Sequence, residues 1–328
     1  MHGAQPGLAD RFAGCLLGGA VGDALGAPFE GYWGHQIPRR STLLGGFAEV
    51  EGYPRGQYTD DTQLTLATVE SIVRRGGIEP SDVARAIADL WRHDAVVGPG
   101  GACTSAARAF LKSGDWTTCG APVGQAGNGT AMRTAALGLA FLDDPDRLPA
   151  AVADVARITH HDPRSIAGGV AVAAAARWLA TGADLDPAPS CAAVAAAARP
   201  FDASFAGLIA DLPARLGEDE EAARHAIAWA GMARPEFSRP IITPFVVPTV
   251  LAALWSVLRR PDDWSRAVAG AIRLGGDVDT LGAIVGGLMG ARLGVAAIPP
   301  HLADEVLDAA TIRQLAHRYF LVIASEKG

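Results

Sequence analysis

The chain has 328 residues, and 49% of them are hydrophobic, so it can enclose the core of one large domain or of two ordinary ones. Its formal net charge is −7 and it has no basic block, which argues against nucleic acid or an anionic membrane as an electrostatic partner. The four cysteines, Cys15, Cys103, Cys119 and Cys191, are scattered without a C-x-x-C pair, so the sequence predicts reduced thiols in a cytoplasmic protein, with neither a zinc knot nor a disulfide framework.

Two apolar stretches are long enough to be considered as targeting or membrane segments. The stretch from Phe12 to Val21 is short and is soon interrupted by Asp23, and the stretch from Pro240 to Leu258 contains three prolines. We therefore expect no targeting or membrane-spanning segment. We interpret Pro240 to Leu258 as a loop that leads into a buried helix.

Two predicted helices contain glycines at four-residue spacing. The first ladder consists of Gly14, Gly18, Gly22 and Gly26, and the second of Gly282, Gly286 and Gly290. Each glycine costs about 1 kcal/mol of helix propensity relative to alanine, so these ladders predict close packing between helices. Asp10 is the candidate N-cap of the first helix, and Pro28 ends it. With no alternating strand pattern or internal repeat, the sequence predicts an all-α bundle.

Two carboxylate-rich stretches lie at opposite ends of the chain, each before a predicted helix. They are Tyr58-Thr59-Asp60-Asp61-Thr62 and Gly275-Gly276-Asp277-Val278-Asp279-Thr280. Carboxylates this close together repel one another unless a cation neutralises them, so the pattern predicts a divalent-metal site formed from both stretches. The alternative for Asp60 and Asp61 is a structural role as caps, because a helix N-terminus also favours negative charge.

Two more segments contain candidate site residues. Glu30 lies in a long glycine-containing loop, where it is either a solvated glutamate or an acid held near the metal site. The segment from Gly124 to Arg133 precedes an apolar helix predicted from Thr134 to Phe141. Its glycines would let backbone N–H groups approach a phosphate, or would simply begin the helix.

A pair of histidines, His160 and His161, precedes a helix predicted to start with Asp162 as N-cap and Pro163 at its first position. The helix is almost entirely alanine, glycine and valine, so we expect it to be buried among other helices. The histidines are candidates for ligand contacts, with a structural role as the alternative. Their spacing matches no common zinc motif.

Taken together and in this order, the motifs resemble those of the ADP-ribosylglycohydrolase family. The resemblance extends from Gly14 to about Leu293. The motifs that carry it are Gly18-Gly19-Ala20-Val21-Gly22-Asp23-Ala24-Leu25-Gly26 with Glu30, Tyr58-Thr59-Asp60-Asp61-Thr62, Gly127-Asn128-Gly129-Thr130-Ala131-Met132-Arg133, Thr159-His160 and the stretch from Gly275 to Thr280. The resemblance implies a single domain with a core from about residue 10 to 325, folded as an all-α orthogonal multi-helix bundle around a cleft for two metal ions.

The resemblance also implies roles for individual residues. The metal ligands would be Thr59, Asp60, Asp61, Asp277, Asp279 and Thr280, whose oxygens suit Mg²⁺ or Mn²⁺ better than zinc or copper. The residues that assist an attacking water would come from Glu30, Asp60, Asp61 and Asp279. The ligand-binding residues would be Gly127, Asn128, Gly129, Thr130, Met132 and His160, with the diphosphate of ADP-ribose at the glycine-rich segment and a ribose near His160.

The implied activity is metal-dependent cleavage of the glycosidic bond between ADP-ribose and an acceptor, on a protein side chain or a small molecule, by a monomer. A two-metal nucleotide phosphohydrolase and a catalytically silent ADP-ribose-binding scaffold are the alternatives. Some family members carry an acidic residue in the loop that corresponds to residues 97–101, where this chain has none and Asp94 is offset. Arginine is therefore not favoured over serine or another acceptor.

Overall fold

A computed structural model describes residues 6–49, 53–182, 185–234 and 239–325, and seventeen α-helices lie in these ranges. They are α1 (Leu8–Gly26), α2 (Arg40–Leu43), α3 (Asp60–Arg75), α4 (Pro80–Arg92), α5 (Gly101–Ser113), α6 (Ala135–Leu139), α7 (Leu148–Arg157), α8 (Pro163–Ala180), α9 (Pro187–Ala198), α10 (Ala203–Ala210), α11 (Leu212–Arg215), α12 (Glu220–Ala228), α13 (Val246–Arg259), α14 (Trp264–Ile272), α15 (Val278–Leu293), α16 (Pro300–Glu305) and α17 (Ala309–Ser325). Short 3₁₀ turns span Ala27–Phe29, Ala131–Arg133 and Val295–Ala297. Within the described ranges, β pairing is limited to isolated bridges, so the predicted all-α fold is confirmed.

Helices α1 and α15 pack against each other through their glycine ladders. A β-carbon on Gly22 would collide with the backbone oxygen of Gly282, and the reverse is also true. The other facing pairs are Gly14 with Gly290 and Gly18 with Gly286. Since only a hydrogen atom fits at these positions, the two backbones can approach one another closely. The predicted role of the ladders in close helix packing is confirmed, and the two ladders are each other's partners.

Helix α1 begins earlier than the sequence pattern predicts. Its first residue is Leu8 and its N-cap position is Gly7, so Asp10 lies inside the first turn and the prediction that it caps the helix is wrong. A carboxylate in the first turn still interacts favourably with the helix N-terminus, which is why the residue type suggested a cap. The segment Leu8–Phe29 is long and apolar enough to cross a membrane, and 72% of its most apolar window is buried inside this fold.

Two further helix predictions are confirmed and one is corrected. Asp162 caps α8 by accepting a hydrogen bond from the backbone N–H of Arg164 (3.0 Å), and most of α8 is buried. Helix α13 is the buried helix expected after the proline-rich loop. The helix predicted from Thr134 to Phe141 is shorter, because Thr134 is the N-cap residue and α6 ends at Leu139 after five residues.

The junction of α3 and α4 contains a buried carboxylate surrounded by arginines. Asp82 is 2% exposed and accepts hydrogen bonds from Ser71 Oγ (2.8 Å), Arg74 Nε (3.1 Å) and Arg75 Nη2 (2.8 Å). Burial alone would raise the pKa of Asp82, but the hydrogen bonds from Arg75, Arg74 and Ser71 outweigh it and lower the pKa to about 2. The ionised carboxylate therefore stabilises this junction.

We expect Asp82→Asn to lower the free energy of unfolding by about 2 kcal/mol near neutral pH. The folded-state pKa of about 2 lies below the ordinary value of 3.8, so the unfolded chain binds the proton first as the pH falls. The contribution of Asp82 is thus complete above about pH 4 and disappears as the pH falls through about 2. Urea unfolding of both proteins at neutral and acidic pH measures it. A difference that stays constant down to about pH 2 would contradict the assignment.

Candidate functional site

The first turns of α3 and α15 bring the two acidic stretches to one cavity of about 200 Å³. The cavity is lined by Glu30, Asp60, Asp61, Gly98, Gly100, Gly101, Ala102, Cys103, Gly127, Asn128, Gly129, Met132, His160, Pro244, Asp277, Asp279 and Thr280. The site residues predicted from the sequence lie in this lining, except for Thr59, Thr130 and His161. Residues separated by up to about 250 positions in the chain therefore meet at one place.

One wall of this acidic cleft is a cluster of carboxylates. Oxygens of Glu30, Asp277 and Asp279 lie within 4.8 Å of one another. Asp61 and Asp279 are 3% and 5% exposed, and within the described part of the chain the Oδ1 atom of each has no hydrogen-bond partner. A buried carboxylate oxygen without a donor is energetically costly. The two unpaired oxygens therefore favour a bound cation at this wall.

The same crowding raises the pKa values of several carboxyl groups. Burial and then the nearby carboxylates raise the pKa of Asp60 to about 7, although the backbone N–H of Gly100 opposes the shift. Burial and neighbouring carboxylates also raise the pKa values of Asp61 and Asp279 well above the ordinary range. A divalent cation reverses this effect, because it favours the ionised form of each carboxylate that it contacts.

Helix α3 is capped by Asp23 of α1, a role that the sequence did not reveal. The carboxylate of Asp23 accepts hydrogen bonds from the backbone N–H groups of Thr59 (3.0 Å) and Thr62 (3.1 Å) and from both threonine hydroxyls (3.0 and 2.6 Å). Asp23 is fully buried, and this burial raises its pKa to about 6 despite the hydrogen bonds. Because Asp23 satisfies the helix N-terminus, Asp60 and Asp61 are not needed as caps and can face the cavity.

We expect Asp23→Ala to lower the free energy of unfolding by about 2–4 kcal/mol, because two backbone N–H groups and two hydroxyls would become unpaired in a buried place. Asp23→Asn is the graded control, since its amide oxygen can still accept some of these hydrogen bonds. Urea unfolding of the three proteins measures the effect. Equal losses for the alanine and asparagine variants would show that the charge, and not the hydrogen bonding, stabilises α3.

The turn before α15 fixes the position of Asp277. Gly275 and Gly276 have φ angles of 84° and 95°, in a region that glycine adopts most readily, and Asp277 N–H then donates to the carbonyl oxygen of Ile242 (2.8 Å). The side chain of Asn128 donates from Nδ2 to Asp277 Oδ2 (2.6 Å). Asn128 thus joins the glycine-rich segment to the second acidic stretch.

Two further contacts fix the positions of the two acidic stretches relative to each other. A β-carbon on Gly26, the last residue of the first glycine ladder, would lie 2.6 Å from the Cα atom of Asp279. Glycine is therefore required where α1 passes the first turn of α15. The side chain of Thr280 lies close enough to Asp61 to favour its ionised form, so the starts of α15 and α3 adjoin each other here.

The opposite wall of the acidic cleft consists of Gly127, Gly129 and the ring of His160. A β-carbon on Gly127 would lie 2.8 Å from His160 Nε2, and one on Gly129 would lie 2.9 Å from its Cε1, so the ring packs directly on this segment. Burial lowers the pKa of His160 to about 3, and Nδ1 lies 2.9 Å from the hydroxyl of Thr159. Because Nδ1 contacts Thr159, the neutral ring offers Nε2 to the cavity, and a single ring nitrogen of this kind can form a hydrogen bond with a sugar hydroxyl.

Some residues predicted to contact a ligand are engaged elsewhere. Thr130 is fully buried behind the cavity wall, and its hydroxyl donates to the carbonyl oxygen of Ser165 (2.5 Å). The hydroxyl of Thr59 lies 3.2 Å from Asp61 Oδ2, next to the cavity lining. The backbone N–H of Asn128 donates to the carbonyl oxygen of Pro244 (3.0 Å), so it is not available to a phosphate.

A buried guanidinium lies behind the glycine-rich segment and was also not assigned a role from the sequence. Arg133 is fully buried and donates to the carbonyl oxygens of Gly129 and Val155. Burial lowers the pKa of Arg133, and this positive charge is a secondary cause, after burial, of the low pKa of His160. Arg133 therefore tightens the segment and helps to keep the histidine neutral.

Fold and site together define an all-α protein with an acidic cleft whose donor atoms fit divalent cations. The family model of the ADP-ribosylglycohydrolases matches residues 4–328, and the chain belongs to this enzyme family.

The chain is similar to characterised relatives over different parts of its length. It is 37% identical over 165 residues to the ADP-ribosyl-(dinitrogen reductase) glycohydrolase of Rhodospirillum rubrum, a match that covers 49% of this chain and only 54% of that protein. It is 26% identical over 321 residues to the ADP-ribosylarginine hydrolase Tri1 of Pseudomonas putida (strain GB-1), covering 95% of this chain and 78% of the relative. A solved structure described as an ADP-ribosylglycohydrolase-related protein complex matches with a TM-score of 0.72 and 29% identity, over 96% of this chain and 99% of that one.

Proposed function

We propose that this enzyme hydrolyses the glycosidic bond between ADP-ribose and an acceptor group and releases free ADP-ribose. The observation that carries the proposal is the pair of unpaired, buried oxygens of Asp61 and Asp279 at a cavity that is also lined by a neutral histidine and by Gly127 and Gly129. One wall is suited to cations and the other to hydroxyl groups. This combination suits cleavage at the anomeric carbon of a ribose whose hydroxyl groups are held in the cleft.

The residues that would hold two Mg²⁺ or Mn²⁺ ions are Thr59, Asp60, Asp61, Asp277, Asp279 and Thr280. All of them offer hard oxygen atoms, and three of the carboxylates have raised pKa values that a cation would reverse. When bound, these ions would supply a water of lowered pKa and would orient ribose hydroxyls.

The side chains of the enzyme perform the other steps. Cleavage builds positive charge at the anomeric carbon, and the surrounding carboxylates stabilise it electrostatically. Asp60, Asp61 or Asp279 orients and deprotonates the attacking water. Glu30 lies at the rim, where desolvation and the nearby Asp277 raise its pKa. A raised pKa increases the protonated fraction of this carboxyl, which is the form that can protonate the leaving group.

The acceptor group would occupy the rim formed by Glu30 and the loop before α5. Gly98, Gly100 and Gly101 line this side of the acidic cleft, and no acidic side chain comes from the loop. A guanidinium leaving group would therefore meet Glu30 as its nearest carboxylate at the rim. The name of the Pseudomonas relative supports an arginine linkage, whereas the missing loop acid disfavours it, so both linkages have to be compared directly.

The decisive experiment measures ADP-ribose release from an arginine-linked and a serine-linked ADP-ribosyl peptide, with magnesium, with manganese and with chelator. We expect metal-dependent release from one of them. Release of AMP or phosphate would instead show a phosphohydrolase. Tight metal-dependent binding of ADP-ribose without turnover of either peptide would support a scaffold. Asp279→Asn is the matched inactive control.

A further inference from the structure

A second cavity, of about 370 Å³, lies between α2, α12, α13 and α14, and it shares no lining residue with the acidic cleft. Its lining consists of Arg40, Glu220, Trp255, Ser256, Arg259, Arg260, Arg266, Ala267, Ala269, Gly270, Arg273 and Leu274. Five of these residues are arginines and one is acidic, in a chain whose formal net charge is −7. We refer to it as the arginine cavity.

Ion pairs within the protein neutralise only part of this positive charge. Arg259 pairs with Glu220 (2.8 Å), and Arg266 pairs with Asp263 (3.1 Å). In the described part of the chain, Arg40 and Arg273 have no hydrogen-bond or ion-pair partner for their exposed side chains. Arg260 donates only to a backbone oxygen, the carbonyl of Arg259. Within the described residues, Arg40 and Arg273 are thus left without a carboxylate, and Arg260 shares the charge of Glu220 with Arg259.

Trp255 lines the arginine cavity, packs against Arg259 and has a donor without an acceptor. Trp255 is 3% exposed, and the guanidinium carbon of Arg259 lies 4.6 Å from the centre of its ring. This stacking holds Arg259 in place. Within the described residues the buried indole N–H of Trp255 has no acceptor. An unpaired buried donor next to several guanidinium groups favours a ligand rich in acceptor oxygens.

From these observations we propose that the arginine cavity binds a small anion that carries two or more phosphate groups. Guanidinium groups present pairs of N–H donors that match phosphate oxygens, and Arg40 and Arg273 at one cavity can engage successive phosphates. The volume is that of a small-molecule site. The acidic cleft would repel the same anion unless cations were bound, so the two sites differ in their requirement for metal.

The test is calorimetric titration of inorganic tripolyphosphate into metal-free protein that has been chelated and then desalted. We expect tripolyphosphate to bind at one saturable site, and more tightly than inorganic monophosphate does. The double variant Arg40→Gln with Arg273→Gln should bind about tenfold more weakly or worse. Arg108→Gln removes one exposed guanidinium on α5, outside the arginine cavity. It is the control for the loss of one positive charge and should bind tripolyphosphate as tightly as the original protein does.

Several results would overturn the proposal. They are the absence of saturable binding, equal affinity for tripolyphosphate and monophosphate, and equal weakening by Arg108→Gln. Melting temperatures of the variants show whether each is folded. If the double variant is unfolded, the single substitutions of Arg40 and of Arg273 are tested instead. Because the titration uses no metal and no ADP-ribosyl substrate, its outcome is independent of whether the proposed hydrolysis is correct.

Discussion

Asp279→Asn is expected to abolish turnover and, at the same time, to stabilise the metal-free fold by about 1–3 kcal/mol. Turnover is lost because an amide is a poor replacement for a carboxylate ligand or base. The metal-free fold gains stability because the carboxylate is buried among like charges, which raise its pKa, and its Oδ1 atom has no donor in the described structure. Release of ADP-ribose and urea unfolding in chelator measure the two effects.

Asp82→Asn is the matched control, since the same chemical change at an arginine-paired carboxylate should destabilise the protein. Added magnesium or manganese should raise the stability of the original protein and have little effect on the Asp279 variant. If the Asp279 variant kept its turnover, or if it unfolded more easily than the original protein in chelator, the assignment of this carboxylate to a cation-dependent cleft would be wrong.

The acidic cleft also gives the metal-free protein an expected pH dependence. The pKa of Asp60 is about 7 in the folded state against an ordinary 3.8, so the folded state binds the proton at higher pH than the unfolded chain does. Stability should therefore rise, by about 2–4 kcal/mol, as the pH is lowered from about 7 to about 4. Asp60→Asn should remove only its own part of this slope, because Asp23, Asp61 and Asp279 also have raised pKa values, and bound metal should oppose the slope. Unfolding curves across that pH range measure the slope.

Gly282→Ala is expected to lower the free energy of unfolding by about 3 kcal/mol or more, or to prevent folding altogether. The new β-carbon would collide with the backbone oxygen of Gly22, and backbone atoms cannot move aside as a flexible side chain can. Helices α1 and α15 would have to separate. Because Asp279 lies one turn earlier on α15, turnover per folded molecule should also fall.

Gly207→Ala on α10 is the control for this substitution. No atom lies within 4 Å of a β-carbon built at Gly207, so alanine should only improve helix propensity and raise the free energy of unfolding by about 0.5–1 kcal/mol. Urea unfolding of both variants makes the comparison. Similar small effects at the two positions would mean that α1 and α15 are not in close contact.

The features that could be predicted from the sequence are those with a local signature. Glycines at four-residue spacing are costly in a helix, so the ladders revealed their packing role, and adjacent carboxylates revealed a place of charge repulsion. The cap of α3 could not be predicted in this way, because Asp23 and Thr59 are separated by 36 positions and nothing local connects them. A charged residue in the middle of an apolar helix was the available signal.

The errors in helix boundaries have a similar origin. The apolar pattern from Thr134 to Phe141 is compatible with a full helix, yet the hydroxyl of Thr134 donates to the carbonyl oxygen of Gly169 (2.8 Å) and only Ala135–Leu139 forms α6. The hydrogen bond between Asn128 and Asp277 could not be predicted from the sequence either. It spans 149 positions and gives a residue predicted to bind a ligand the additional task of orienting a carboxylate.

The contacts of α1 have a consequence for how the protein acquires activity. Asp23 sets the start of α3 and Gly26 sets the start of α15, so both acidic stretches are aligned on the same helix. The cleft therefore exists only after the N-terminal segment has met a helix roughly 250 positions later in the chain, a contact of very high sequence separation. We expect a nascent or truncated chain that lacks α15 to be unable to retain divalent cations, so that cation uptake reports completion of the fold.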